Sequence, residues 1–133
     1  MSYQKFKWNQ ALVVSTHPVQ RGALEFHLAK AGFMVTVTAD VNQAFHLAEK
    51  QYFDLIVADL KAEGGSGIDL ARQLRQLDPY DATPMVLLAD QHAELDLDYL
   101  RGNLWLLVVR EPCNIADLVA KLSRNFSPQQ AFC

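Results

Sequence analysis

Phe53-Asp54-Leu55-Ile56-Val57-Ala58-Asp59 holds an unbroken apolar run that ends on a carboxylate, and Gly64-Gly65-Ser66-Gly67-Ile68-Asp69-Leu70 follows shortly after. A run apolar on both faces is the pattern of a strand buried inside a parallel sheet. Such a strand delivers Asp59 to the C-terminal edge of the sheet, where open α/β sheets bind ligands and do chemistry. Gly64, Gly65 and Gly67 then make a turn into an amphipathic helix. Leu70, Leu74 and Leu77 fall on one face of it, with Arg72, Gln73, Arg75 and Gln76 on the others.

Outward from this centre, apolar runs at 11–14, 33–38, 54–58, 85–89 and 104–109 alternate with five helical patterns. Strands alternating with helix-length segments imply right-handed βαβ crossovers and a parallel sheet. Pro18 suits the first turn of helix one, where its missing N–H costs nothing, and Gly32 suits its end. Asp40 with Gln43 and Ser66 with Asp69 read as capping-box starts of helices two and three. Asp78-Pro79 stops helix three. Helix four is expected at about 91–101 on a thin stripe of Leu95, Leu97, Tyr99 and Leu100. Asn114 caps helix five, where Ile115, Leu118, Val119 and Leu122 make the buried stripe.

A chain of 133 residues, half apolar and a fifth charged, is one globular domain that buries roughly two-thirds of its extended surface without disulfides or metals. The net charge of -3 gives no electrostatic footprint for nucleic acid. Cys113 and Cys133 stand far apart with no second pair, which fits a reducing compartment. Residues 1–10 lack the apolar core of a signal peptide, and the run 104–109 is too short to cross a bilayer. The expected location is the cytoplasm, with no membrane contact.

These elements, in this order and size, resemble the receiver domain of two-component response regulators. Ala11-Leu12-Val13-Val14 looks like the family's first strand, and the run ending at Asp59 like the third, which carries the phosphoacceptor aspartate. Gly67 stands eight residues beyond that aspartate, as it usually does in the family. The run starting at Pro84 looks like the fourth strand, and Glu111-Pro112-Cys113-Asn114 stands where the family has Lys-Pro-Phe. The resemblance implies a single flavodoxin-like (βα)5 domain, a three-layer α/β sandwich with sheet order 2-1-3-4-5. The domain is set at 10–125, with 1–9 an N-terminal extension and 126–133 a tail or the start of a linker.

The resemblance also implies a site that this chain mostly lacks. Typical receivers accept a phosphoryl group from a histidine kinase. They use two acids after strand one to hold Mg²⁺, a hydroxyl after strand four and a lysine after strand five. The matching positions here are Ser15 and Thr16, Ala89 and Glu111; the aromatic switch is Val108 and the usual proline past the aspartate is Glu63. Of that set only Asp59 remains as a phosphoacceptor candidate. Phosphoryl transfer is mostly positioning and charge neutralisation, and Mg²⁺ prefers carboxylate and water oxygens. No metal is therefore expected, Mg²⁺ entering only if the Asp59 site is functional. Lys61, two residues past Asp59, either stands in for the missing cation or is a solvated surface lysine.

Other constellations carry less. His17, His27, His46 and His92 lie on separate elements with no ligand spacing. A Ser15/His/Asp59 triad lacks the Gly-x-Ser-x-Gly elbow, so no enzyme is expected. A flavin site starting at Ser15-Thr16 would need backbone donors where His17-Pro18 removes one. Two functions remain. The first is a degenerate receiver acting as a phosphorylation-independent module, meeting a signalling partner or a second copy through helix four, strand five and helix five near Tyr99 and Trp105. The second is a phosphoacceptor loaded slowly at Asp59 by a histidine kinase.

Overall fold

The structure is a computed structural model and describes residues 9–124. Five parallel strands form one sheet: β1 (Asn9–Val14), β2 (Phe33–Thr38), β3 (Leu55–Asp59), β4 (Met85–Ala89) and β5 (Leu106–Arg110), in the order β2-β1-β3-β4-β5. Between and after them run α1 (Pro18–Lys30), α2 (Val41–Lys50), α3 (Gly67–Leu74), α4 (Leu97–Asn103) and α5 (Ile115–Ser123). This is the flavodoxin-like α/β architecture expected from the alternation of runs. The extension and tail expected at 1–9 and 126–133 lie outside the described residues, except for Asn9, which opens β1.

The period-two alternation of side chains splits the core into two layers. Leu12, Val14, Ile56, Ala58, Met85 and Leu87 point to the face covered by α2, α3 and α4. Their neighbours Ala11, Val13, Leu55, Val57, Val86 and Leu88 point to the face covered by α1 and α5. Every residue of β3 and β4 is buried, which is why these strands read as continuous apolar runs. The registers Val14↔Ala58 and Asp59↔Leu88 bring the C-terminal ends of β1, β3 and β4 level, so the loops after them converge on Asp59.

Local chemistry sets the helix ends. Pro18 opens α1, and Gly32, with φ 104°, follows its last turn in a conformation that disfavours a side chain. Asp40 accepts from the N–H groups of Asn42 and Gln43, while Gln43 turns its side chain to the Thr38 hydroxyl, so half of the expected box forms. Ser66, Asp96 and Asn114 each accept from the N–H three residues on and cap α3, α4 and α5. Gly67 has no room for a Cβ: one would lie 2.6 Å from the Asp59 carbonyl oxygen and 2.7 Å from Leu87 Cδ1. The glycine lets α3 start directly against the strand that carries Asp59.

Three expectations are corrected. Helix four begins at Leu97, not near 91, because Asp96 supplies its cap and residues 91–96 form the turn and loop that wall the site. Helix three ends at Leu74, before Asp78-Pro79; Leu77 packs on the core from beyond it. Strand five starts at Leu106, not 104. Leu104 is buried, but Trp105 takes φ 57° and points outward at 64% exposure. Arg75 holds that bend, donating from Nε to the Leu104 carbonyl at 2.8 Å and from Nη2 to the Trp105 carbonyl at 3.4 Å.

Candidate functional site

β3 places Asp59 at the sheet edge, 4% exposed, at the base of a cleft of about 1080 Å³. The cleft lies between the start of α1, the β3–α3 hairpin (Lys61–Ala62 with Gly65–Ser66), the β4–α4 loop and the β5–α5 loop. Arg110 fixes one wall by donating to the carbonyls of Asp90 and Ala93. Its side chain therefore serves the wall and does not line the cleft, since side chains alternate along a strand and the neighbouring Glu111 lines it.

The carboxylate is held on one side only. Gln20 Nε2 donates to Asp59 Oδ1 at 2.6 Å, whereas Oδ2 is buried without a hydrogen-bond partner. Burial pushes the Asp59 carboxyl above the usual carboxylate range; the Ser15 hydroxyl, His17, the Thr16 amide and Gln20 pull it part of the way back. Glu111 is raised as well, first by burial, then by the like charges of Asp59 and Asp90, with His17 and Gln20 opposing. Two acids thus share one cleft at the sheet edge, with the neutral Gln20 side chain bonded to the first of them.

The pH consequence follows from these directions. A carboxyl with a raised native pKa binds more protons folded than unfolded, so stability falls as pH rises through the window that starts near the unfolded value. For Asp59 that window opens at 3.8 and for Glu111 at 4.5, and it extends upward to the raised native values. Asp59→Asn is expected to raise the thermal midpoint at pH 7 and to flatten the decline above pH 4 in a series of melts. A lower midpoint at pH 7 would contradict it.

The other expected positions fall as follows. Ser15 is fully buried at the end of β1, its Oγ accepting from the His17 N–H at 3.2 Å and from Gln20 Nε2 at 3.4 Å. The His17 amide is therefore turned inward, away from any phosphate that a flavin loop would hold. Thr16 is half-buried beside Asp59, and Ala89 is buried at the end of β4. Glu111 and Pro112 line the cleft, joined by a cis peptide bond. Lys61 lines it from an exposed position, and among the described residues it forms no ion pair with Asp59 or Glu111. His17 and His92, remote in sequence, meet at this cleft; His27 and His46 do not.

Mg²⁺, which the resemblance implies, would find at the family's metal-holding positions only the Asp59 carboxylate, flanked by the hydroxyl residues Ser15 and Thr16. Among the described residues no three His, Cys, Asp or Glu side chains converge so as to hold a metal. The donor set does not fit a hard divalent cation, which takes several carboxylate or water oxygens. Cys113 is a free, part-buried thiol pushed up by burial and by Glu111, opposite to the shift that makes a cysteine reactive.

The residue missed from sequence is Gln20. Its signal was positional: it is one helical turn past Thr16, in the first turn of a helix whose N-terminus starts beside Asp59.

Residues 11–123 match the family model described as the response regulator receiver domain. The transcriptional activator protein PfeR of Pseudomonas aeruginosa is 34% identical over 85 residues, 64% of this chain and 27% of PfeR. A probable transcriptional regulator, ycf29 of Cyanophora paradoxa, is 29% identical over 110 residues, 81% of this chain and 51% of that protein. The chain thus spans between about a quarter and a half of the length of these relatives. Among solved structures, the receiver domain of a sensor histidine kinase from Pseudomonas aeruginosa superposes with TM-score 0.73 at 28% identity, covering 88% of this chain and 96% of that one. With the sheet order, the acid at the end of β3 and a family match over nearly the whole described length, this chain belongs to the response regulator receiver domains of two-component signalling.

Proposed function

We propose that this receiver domain acts as a phosphorylation-independent interaction module in a cytoplasmic signalling pathway. The observation that carries the reading is the Asp59–Gln20–Glu111 cluster. Where the family's chemistry needs a cation beside the aspartate, this chain has a second acid and an uncharged amide. The Pseudomonas receiver compared above is described with magnesium coordinated in its active-site cleft. The donors at Ser15, Thr16 and Asp59 here give a metal of that kind one carboxylate, so no resident cofactor is assigned. Ala89 offers no hydroxyl to a phosphoryl oxygen, which removes the contact that would couple phosphorylation to a shape change.

Partner contact is assigned to the α4–β5–α5 face. Trp105 and Leu107 are 64% and 52% exposed there, and Tyr99 stands nearby on α4. An aromatic residue with positive φ is uncommon and points to a role for its position. The partner is a signalling protein or a second copy of the chain.

The competing reading, slow phosphorylation of Asp59 by a histidine kinase, draws on the buried unpartnered Oδ2 and on Lys61 at the cleft. Beryllofluoride, a phosphoryl mimic, separates the two. Amide spectra with and without Mg²⁺ are expected to stay unchanged at Asp59 and its neighbours. A Mg²⁺-dependent shift confined to the cleft would favour the phosphoacceptor.

A further inference from the structure

Asp59, Asp90, Glu94 and Glu111 line one cleft against the single lysine Lys61, and none of these four acids takes part in an ion pair among the described residues. An acidic lining alone is ordinary. What distinguishes this one is Asp59, 96% buried in its base, with Oδ2 lacking any hydrogen-bond partner. Its other oxygen is held by the Gln20 carboxamide at 2.6 Å, and Glu111 lines the same cleft. Gln20 thus satisfies one oxygen of the Asp59 carboxylate and reaches Ser15 with the same nitrogen, which leaves the acceptor capacity of Asp59 Oδ2 unused.

The geometry points to this cleft as a binding site for a guanidinium group, seated between Asp59 and Glu111 in place of the Gln20 carboxamide. The inference deepens the reading of a site without phosphoryl chemistry and rests on it. A guanidinium offers five N–H donors in a planar fork that matches carboxylates and leaves acceptors satisfied. It is also more weakly hydrated than an ammonium. That matters because Val19, Ala23, Leu88, Pro112 and Ile115 make much of the wall apolar. An ammonium would give up more hydration against these residues, and Mg²⁺ lacks the converging ligands it needs. The same apolar wall suits the methylene stem of an arginine, and about 1080 Å³ admits the side chain with adjoining backbone. The guanidinium comes either from an arginine of a partner segment or from a free small guanidine.

The test titrates the full ¹⁵N-labelled chain with agmatine and with a blocked Gly-Arg-Gly peptide. A blocked Gly-Lys-Gly peptide and magnesium chloride serve as comparisons. The readouts are the Gln20 side-chain amide and the backbone amides of Asp59 and Glu111. A saturable shift is expected with a guanidine, about tenfold tighter than with the lysine peptide. Glu111→Gln is expected to weaken it by about tenfold or more while the rest of the spectrum stays folded. Gln20→Ala, which removes the competing amide, is expected to tighten it. Binding of both guanidines assigns recognition to the group itself; binding of the peptide alone assigns a partner segment, and of agmatine alone a small molecule. No saturable shift, binding indifferent to Glu111→Gln, or equal shifts with magnesium overturns the inference. A native chain that takes up a phosphoryl group at Asp59 defeats the underlying reading; one that stays unphosphorylated and ignores guanidines defeats this inference alone.

Discussion

The combined substitution Ser15→Asp, Thr16→Asp, Ala89→Thr and Glu111→Lys is expected to make Asp59 accept a phosphoryl group from acetyl phosphate and Mg²⁺ at least a hundredfold faster than in the native chain. Glu111 sets much of that figure. Two like charges about 4 Å apart oppose each other by roughly 4 kcal/mol at an effective dielectric of about 20. Such a barrier corresponds to several hundred-fold or more in rate. Solvent at the half-exposed Glu111 lowers its share, and the lysine then adds attraction in place of repulsion. The two new carboxylates supply oxygen ligands where the native donor set has hydroxyls. Ser15 is fully buried, so its replacement adds a charge that is costly until a metal neutralises it. The repaired chain is therefore expected to melt lower without Mg²⁺ and to recover with it, an upward shift not expected of the native chain. A repaired chain that is folded in Mg²⁺ and still silent would mean that these positions do not govern phosphoryl transfer to Asp59.

Tyr80→Ala is expected to destabilise the domain by about 3–5 kcal/mol, through the loss of a buried aromatic side chain. Tyr80 is 2% exposed, at the edge of the sheet opposite Asp59, in the short helical turn Tyr80–Ala82 that precedes β4. Its hydroxyl accepts from the Phe53 N–H at 3.0 Å and faces the carbonyls of Ala48 and Gln51 at 3.0 and 2.9 Å. It thereby ties the end of α2 to the entry of β3. Tyr52 stacks on its ring at 5.1 Å between centroids. Tyr80→Phe keeps the ring but strands those backbone groups, at a cost of about 1–3 kcal/mol. Urea unfolding of both variants checks the order. A Tyr80→Ala cost below about 1 kcal/mol would show that this end of the fold is held by something else.

Much of the fold was legible because bounded apolar runs mark strands, whether at the sheet edge as in β2 or fully buried as in β4. β2 and β4 fall at 33–38 and 85–89, as their bounded apolar runs require. Where the reading slipped, the deciding contact was not local in sequence. Six apolar residues at 104–109 look like one strand, but the first two form a bend held by Arg75, about thirty residues earlier. Residues 91–96 have acceptable helix composition, which extends helix four in the sequence, while the cap that starts the helix is Asp96. The site was half visible. Asp59 and the substituted positions around it follow from register, and the structure brings Ser15, Thr16, Lys61 and Glu111 around it. Gln20 was hidden because its role depends on a side-chain direction across the β1–α1 turn, and His17 and His92 meet only through the crossover geometry.

Intact mass of the native chain after incubation with acetyl phosphate and Mg²⁺ reaches the central claim most directly, with Asp59→Asn alongside. Two unchanged masses are expected. A gain of one phosphoryl group on the native chain, absent from Asp59→Asn, would contradict it.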